Sequence, residues 1–427
     1  MRGLLERLFP GRLGAGFRWL VASAWSANLG DGFAFAAGPL LVASQTRNPT
    51  LVALATLLQR LPWLLFGLVG GAVADRVNRV VLTATVEVLR AGLLTLLAVA
   101  IVTGEVDIAV VLTTLFLLGT AEVFSDTAAT TVLPSLVGAD DLTLANSRVQ
   151  TGFVTLYQLA GPPVGAALFA LGAAVPFVAQ ALLVALGAVL VSRVRLPGRP
   201  AAPAPAERRS MRAEVVDGFR WVAHHAAVRT LVLTILIFNV TFGAAWSVLV
   251  LYAEERLHLG AVGFGLLTTA SAVGGLLGTT GYGWLTRRVS LGNIMRAGLV
   301  IETFTHLSLA LTTSPAVALA VMVVFGAHAF VWGTTSITIR QRAVPEPLQG
   351  RVSSVNSLGV FGGLVLGAAL GGPIAERFGV TAPFWFAFVG SAVFVVVMWR
   401  QLTHIAHDDA RRPRQPGQPR AAGSGVA

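Results

Sequence analysis

The sequence predicts an all-α polytopic membrane protein with twelve transmembrane helices in two pseudo-symmetric six-helix bundles. Hydrophobic residues make up 55% of the 427 residues and charged residues only 12%, about half the charged fraction of a soluble domain. About twelve apolar windows are long enough to cross a bilayer. Short sequence features recur in the same order in both halves, which indicates a duplicated six-span unit.

The apolar windows set the order of the predicted spans. Each is about twenty residues or longer, the length that a helix needs to cross the hydrocarbon core. The windows lie at roughly 19–43, 51–74, 80–103, 108–130, 149–171, 174–192, 230–252, 262–285, 294–312, 315–338, 355–375 and 381–400.

These windows divide the chain into five parts. Residues 1–18 are predicted to form a cytoplasmic N-terminus, 19–192 the N-terminal bundle and 230–400 the C-terminal bundle. Residues 193–229 are predicted to form a cytoplasmic linker. Apolar residues recur on one helical face near the end of this linker, which predicts an interfacial helix. Residues 401–427 are predicted to be a disordered cytoplasmic tail.

The duplication rests on short matches between the halves. The sequence RAGL occurs at 90–93 and again at 296–299. Asn28 is followed four residues later by glycine, and Asn239 is followed by glycine at the same spacing. The matches keep their chain order, so two related six-span units explain them better than chance does.

The distribution of charge orients the chain. The net charge is +11, but the arginines lie in alternate short loops and at both termini, as the positive-inside rule requires of a multi-pass protein. We therefore expect both termini to lie in the cytoplasm and the protein to lie in the inner or plasma membrane. No aromatic and basic recognition motif is present, so nucleic acid is not an expected partner.

Residue types that are missing exclude several kinds of chemistry. The chain has no cysteine and no lysine, and all 31 of its basic residues are arginine. A Walker phosphate loop and a lysine Schiff base are therefore excluded. No HExxH motif or hydrolase-like carboxylate pair is present, so neither an enzyme nor a metal site is predicted.

A short polar stretch, GGAVADRVNRVVL at 70–82, separates the second and third windows. It resembles the loop 2–3 signature of the major facilitator superfamily, Gly-x-x-x-Asp-Arg-x-Gly-Arg-Arg/Lys. Gly71, Asp75, Arg76 and Arg79 match the signature. Asn78 replaces its second glycine, and we expect it to take the left-handed conformation that asparagine tolerates.

The resemblance extends over nearly the whole chain. Segments such as NLGDGFAFAAGPLLV and AEVFSDTAATTVLPSLVGADDLTLANS look like the subgroup that contains the macrolide efflux proteins and the enterobactin exporter. GPPVGA at 161–166 is similar to the antiporter motif of span 5, and its matching positions are Gly161, Pro162 and Gly165. The resemblance implies proton-coupled export by alternating access.

The resemblance also implies a latch on the cytoplasmic side. The Asp75 position would close against the N-terminal end of span 11, where a helix dipole favours a carboxylate. The Arg79 position would pair with Asp75 and with an acid at the inner end of span 4, which is Asp126 here. An ordinary positive-inside loop is the alternative reading.

Asp31 lies near the middle of the first window. A charge at this depth costs roughly 2.5–3.5 kcal/mol on insertion scales and is functional by default. We therefore predict that Asp31 binds the coupling proton. The alternative is a hydrogen-bonded carboxyl that holds helices together, with Asn28 as its partner.

Glu122 in span 4 is the second candidate for proton coupling. It lies one helical turn before Asp126 and on the same face. In the family that the sequence resembles, spans 1, 4, 7 and 10 line a central cavity, so Asp31 and Glu122 would share it. Such an acidic lining would suit cationic or amphipathic substrates. Partnership with a latch arginine is the alternative role for Glu122.

Polar and aromatic residues of the same spans are further candidates for the cavity lining. For His328, a satisfied structural histidine is the alternative. Outside the cavity, we expect Glu87 and Arg90 to form a structural ion pair, and Glu302 and His306 to have a packing role. The candidate lining residues are Asn28, Asn239, Trp246, His328 and Trp332.

The sequence thus predicts a secondary active transporter that exports a small amphipathic, drug-like or siderophore-like molecule in exchange for protons. A proton gradient would drive it without any cofactor, and its partners would be the substrate, protons and the lipid bilayer. We expect a monomer. Two alternatives remain: a proton-coupled uptake symporter or facilitator, and a non-transporting membrane sensor on the same fold.

Overall fold

A computed structural model describes residues 11–74, 76–196 and 211–403. Within these ranges the chain forms twelve long helices and no strand, which confirms the predicted fold class. The predictions for Asp75, for linker residues 197–210, for N-terminal residues 1–10 and for nearly all of the tail lie outside the described residues. Helices α1 to α6 are Gly14–Gln45, Pro49–Ala74, Arg79–Thr103, Ile108–Leu136, Leu142–Leu171 and Val175–Ser192. Helices α7 to α12 are Ala226–Trp246, Ala261–Arg288, Leu291–Leu311, Pro315–Ala343, Gln349–Phe378 and Ala382–Met398.

Most of these helices can cross a membrane. Ten of the described helices are long and apolar enough to do so. Helix α12 is a shorter apolar helix of 17 residues. Helix α1 has 32 residues, well above the roughly 20 that a span requires.

Helix–helix packing repeats in the two halves. In the first half α1 packs on α5 and α6, α2 on α4, and α3 on α4 and α6. In the second half α7 packs on α11 and α12, α8 on α10, and α9 on α10 and α12. The same pattern in each half confirms two pseudo-symmetric six-helix bundles. The bundles meet where α2 packs on α11 and α5 packs on α8.

Side chains at the loops define where several helices begin and end. The Asn78 side chain accepts hydrogen bonds from the backbone N–H groups of Val80 (3.0 Å) and Val81 (3.3 Å) and so caps α3. Asp107 caps α4 in the same way, and Gly104 ends α3 in the left-handed conformation at φ 76°. Asn78 itself has φ −68°, so the expected left-handed conformation at Asn78 is wrong; capping explains the residue instead.

We call the side that holds the start of α1 and the end of α12 the terminal side, and the other the opposite side. Near the opposite side a single hydrophobic cluster contains residues of both bundles, among them Leu41, Val184, Leu251 and Leu309. Near the terminal side each bundle has clusters of its own. The bundles are therefore packed together at the opposite side and have separate cores at the terminal side.

The end of the linker forms a helix, Met211–His224, as the apolar pattern predicts. This linker helix packs on α11, where Asp217 and Arg351 form an ion pair at 3.6 Å. A Cβ at Gly218 would lie 2.7 Å from the backbone oxygen of Arg351, so glycine permits this close approach. Whether the helix also lies on a membrane surface stays a prediction.

Candidate functional site

A cavity of about 340 Å³ lies between the two bundles. Its lining comes from helices of both halves and is mainly apolar and aromatic, with Phe35, Trp246 and Phe325 among its residues. Asp31 and Glu122, the two predicted proton-coupling residues, also line it. A largely apolar wall with a few polar groups is typical of small-molecule sites of this size.

Asp31 belongs to a charged network that joins four helices. Arg90 of α3 donates a hydrogen bond to Asp31 of α1 at 2.5 Å and two hydrogen bonds to Glu87 at 3.0 and 3.1 Å. Gln180 of α6 donates to the same oxygen of Asp31 at 2.9 Å. Ser125 of α4 donates to Glu87 at 2.5 Å. The predicted Glu87–Arg90 ion pair is therefore confirmed, but it is only part of the network.

The network gives Asp31 a partner that the sequence analysis does not identify. There the only named partner is Asn28, in the alternative role of a structural carboxyl. The structure supplies Arg90 from α3, whose side chain is only 6% exposed. One guanidinium faces two carboxylates, so the network has one negative charge in excess unless a carboxylate binds a proton. Asp31 is 23% exposed and lines the cavity while Glu87 is 6% exposed, so Asp31 is the carboxylate that water can reach.

Arg60 is a lining residue that sequence reasoning missed. It lies within α2 and faces the same cavity as Glu122 of α4. Within the described part of the chain neither side chain forms an ion pair, so both can interact with a bound molecule. The sequence does contain a signal for Arg60, because a charged residue inside an apolar window is functional by default. The predicted acidic lining is wrong, because Arg60 and Arg90 also line the cavity and make the lining mixed in charge.

Helix α5 contains an irregular turn before its glycine motif. Residues Phe153–Ala160 form a π-helical segment. Pro162 lacks the N–H group that a regular helix needs to bond the preceding turn, which favours such a widened turn. Tyr157 in this segment lines the cavity and stacks on Phe153 with ring centroids 5.0 Å apart.

The glycines of the antiporter-like motif lie where α5 crosses α1. A Cβ at Gly161 would be 2.5 Å from the Cα of Gly32, and a Cβ at Gly165 would be 2.3 Å from the backbone oxygen of Phe33. The two backbones are therefore in direct contact. Small residues four apart permit this kind of close crossing in membrane helices.

Polar contacts join the bundles at the opposite side. Arg47, in the loop after α1, pairs with Glu254 beyond α7. Glu376 near the end of α11 accepts hydrogen bonds from Asn48 (3.0 Å) and from Thr50. These contacts, together with the shared hydrophobic cluster, close the cavity on this side.

The latch residues lie at the terminal side. Arg76 is exposed in the turn after α2, and a Cβ at Gly71 would lie 4.0 Å from the side chain of Thr127 on α4. Arg79 donates a hydrogen bond to the backbone oxygen of Thr131 at 3.0 Å, beyond Asp126 on the same helix. The pairing of Arg79 with Asp75 and Asp126 stays a prediction, since Asp75 lies outside the described residues.

Two predicted cavity residues lie elsewhere. A Cβ at Gly298 of α9 would meet Trp332 at 2.8 Å and His328 at 3.4 Å, so glycine leaves room for these two side chains between α9 and α10. His328 is buried there, and Trp332 packs on a core cluster of α7 and α9. The prediction that His328 and Trp332 face the cavity is therefore corrected.

The predicted asparagines also lie outside the cavity lining. Asn239 donates a hydrogen bond to the backbone oxygen of Ile235 at 2.7 Å and packs against Gly363 of α11. Asn28 is half-buried on α1, almost one turn before Asp31. Of the five predicted lining residues, the structure places Trp246 in the cavity wall.

A protein-family model matches nearly the whole chain. The family model described as a transmembrane secretion effector matches residues 11–420. Among characterised proteins, the multidrug efflux pump Tap of Mycolicibacterium fortuitum is 28% identical over 378 residues. That match covers 86% of this chain and 90% of Tap.

Solved structures share the fold. A bacterial homologue of the iron transporter ferroportin, in an inward-facing state, superposes with a TM-score of 0.73 at 15% identity, over 91% of this chain and 98% of that one. A bacterial homologue of the human lysosomal transporter Spinster, inward-facing and unoccupied, gives a TM-score of 0.70 at 14% identity, over 94% of this chain and 98% of that one.

Proposed function

Because this chain belongs to the transmembrane secretion effector family of major facilitator superfamily transporters, we propose that it exports a small amphipathic molecule in exchange for protons by alternating access. One observation carries the proposal: the Asp31–Arg90–Glu87 network opens into an apolar cavity that is closed at the opposite side. The relation to a multidrug efflux pump supports export. We propose transport without chemical conversion of the substrate and without a cofactor.

The cavity lining favours an amphipathic substrate. Phe35, Trp246 and Phe325 offer aromatic surface to an apolar body. Arg60 and Glu122 offer one charge of each sign to its polar groups. A drug-like or siderophore-like molecule with a ring system and a polar or charged group fits this lining.

The charge of the network depends on whether one of its carboxylates is protonated, which is how we propose that protons are coupled to transport. With its single guanidinium, the network is neutral when one carboxylate is protonated and negative when neither is. A buried negative charge is costly, so proton release from Asp31 favours a state in which the cavity is open to water. Proton binding removes this negative charge. It therefore permits the closed states through which the transporter passes when it reorients without substrate.

The distribution of arginine supports a cytoplasmic terminal side. Three arginine–tryptophan pairs lie there, a combination typical of a membrane interface. The opposite side carries acidic residues in its loops and at its helix ends, such as Glu105, Glu254 and Glu376. We therefore propose a multi-pass, monomeric protein of the plasma membrane with both termini inside. The three pairs are Arg193 over Trp19, Arg288 over Trp284 and Arg296 over Trp399.

Reconstituted vesicles test the proposal directly. A panel of amphipathic compounds is loaded on one side, a pH difference is imposed, and accumulation is followed with purified protein. Export in exchange for protons predicts substrate and proton movement in opposite directions. Movement in the same direction would establish the symporter instead. No flux for any compound, combined with compound-dependent changes in a bound partner protein, would favour the sensor.

A cross-link across the closed side is expected to stop transport. Thr50 and Glu376 contact each other across the bundle interface, and the chain has no cysteine of its own. A Thr50→Cys/Glu376→Cys variant treated with a short bifunctional thiol reagent cannot separate its bundles there. We expect export to fall to the level of protein-free vesicles and to return when a cleavable linker is cut.

Either single-cysteine variant with the same reagent is the control, and each should keep its export. A reagent that cannot cross membranes should also work from outside intact cells if the opposite side is extracellular. Undiminished export by a fully cross-linked protein would show that this side does not open during transport.

A further inference from the structure

A second buried polar cluster lies in the C-terminal bundle, away from the Asp31 network. Glu302 and His306 lie one turn apart on α9, and His328 faces them from α10. The Nε2 of His328 is 4.0 Å from a carboxyl oxygen of Glu302. His306 is fully buried, and all four ring nitrogens of the two histidines lack a hydrogen-bond partner among the described residues. Such unsatisfied buried groups are rare and call for an explanation.

No other charged side chain compensates this cluster at its depth within the described helices. Helix α12, which packs on α9, has no ionisable residue. Helix α7 has Arg229 near its start, and α10 has its two arginines in its last turn. Helix α8, which packs on α10, has Arg287 and Arg288 in its last turn. Arg296 of α9 stacks on Trp399 at the terminal side, 4.9 Å from the ring centroid.

The composition of the cluster fixes its preferred proton content. An ionised Glu302 with two neutral imidazoles carries one negative charge, and one added proton makes the cluster neutral. That proton lies either on Glu302, or on a histidine that then forms an ion pair with Glu302. Losing that proton leaves an uncompensated negative charge, and gaining another leaves a positive one. Both charged states are costly in a buried site.

The cluster also contacts the wall of the substrate cavity. His306 meets the Trp246 ring edge to face, with centroids 5.9 Å apart. His328 meets the Phe325 ring in the same manner at 5.4 Å. Trp246 and Phe325 both line the cavity, and their own rings lie 4.8 Å apart. A change of charge in the cluster therefore acts directly on two aromatic rings of the cavity wall.

We propose that Glu302, His306 and His328 form a second proton-binding site that holds one exchangeable proton and sets the position of the cavity wall. The proton moves between the Glu302 carboxyl group and an imidazole nitrogen without any other reactant. Its occupancy differs between the empty and the substrate-bound cavity, because a substrate in the cavity would contact the two rings that the histidines meet. The inference deepens the proposed function by adding a proton site in the second bundle, yet its test does not require transport.

Histidine ¹⁵N NMR on purified protein in nanodiscs tests the site. The chain has seven histidines, and the two in question are identified by loss of their signals in His306→Gln and His328→Gln. As the pH falls from about 8 to about 5, we expect the cluster to take up one proton, which either protonates a ring nitrogen or, when Glu302 takes it, shifts the signals of the rings beside it. In Glu302→Gln this change should disappear or its midpoint should fall by about one pH unit or more, as removal of an opposite charge within about 4–6 Å does.

The control is Glu105→Gln, an exposed loop carboxyl that should leave both signals unchanged. If Glu302→Gln does not fold, His328→Gln serves instead and should change the titration of His306. Addition of a transported compound to the wild type should shift the same signals. The proposal is wrong if the ring signals do not change over this range, or change identically with and without Glu302. Failure to exchange protons for substrate in vesicles would overturn the antiport mechanism and leave the titration result standing.

Discussion

Asp31→Asn is expected to abolish uphill export. In reconstituted vesicles with an imposed pH difference, accumulation by this variant should fall to the level that wild-type protein reaches when the pH difference is collapsed. Binding of substrate and its downhill exchange should persist, because Trp246, Phe325 and the rest of the aromatic lining are unchanged.

The geometry gives the physical reason. Asparagine keeps an oxygen that accepts from Arg90 and Gln180, so the contacts at 2.5 and 2.9 Å survive in weaker form. Loss of a charge-assisted hydrogen bond costs about 1.5–3 kcal/mol, which a folded transporter is expected to tolerate. The amide cannot bind or release a proton, however, so Arg90 stays balanced by Glu87 alone throughout the cycle.

A matched pair of variants separates coupling from folding. Glu105→Gln removes an exposed carboxylate and should export as the wild type does. Arg90→Ala should instead destabilise the fold by about 3–5 kcal/mol, because it leaves the buried Glu87 carboxylate and the partly exposed Asp31 carboxylate without their cation. If Asp31→Asn still concentrates substrate against its gradient, Asp31 has a structural role, and Glu122 becomes the candidate for proton coupling.

The sequence predicts the fold because its signal is local. Apolar windows of membrane length and the alternation of arginine-bearing loops depend on neighbouring residues, and the twelve helices follow from them. The linker helix is predicted in the same way, from the apolar face near the end of the linker. Helix ends are less predictable, since α5 begins at Leu142 and α11 ends at Phe378, both beyond the apolar windows.

The site is only partly predictable because its contacts are not local. Asp31 and Arg90 come from helices whose relative rotation no single sequence specifies, so their ion pair is visible only in the structure. The orientation of His328 depends on Gly298 of the neighbouring helix, which makes room for the ring. Arg60 could have been found, since the argument that singles out Asp31 applies equally to an arginine inside an apolar window.

Gly165→Ala is expected to destabilise the protein by about 1–3 kcal/mol, the usual cost of adding a group to a packed interior. The new methyl carbon would lie 2.3 Å from the backbone oxygen of Phe33 and 2.5 Å from its Cα. Because these are backbone atoms, no side chain can rotate away, and α1 must move off α5. Phe33 lies two residues after Asp31, so the displacement also disturbs the Asp31–Arg90 pair, and export should fall with stability.

Gly92→Ala is the matched control, and its effect on stability should have the opposite sign. Gly92 lies inside α3 with no atom within 4 Å of the position that a Cβ would take, and alanine stabilises a helix interior by roughly 0.5–1 kcal/mol relative to glycine. Thermal unfolding of both variants in one detergent, with export measured in parallel, compares them directly. If Gly165→Ala is as stable as Gly92→Ala, then α1 and α5 are not in backbone contact at this crossing, and the glycines of the GPPVG motif need an explanation other than close packing.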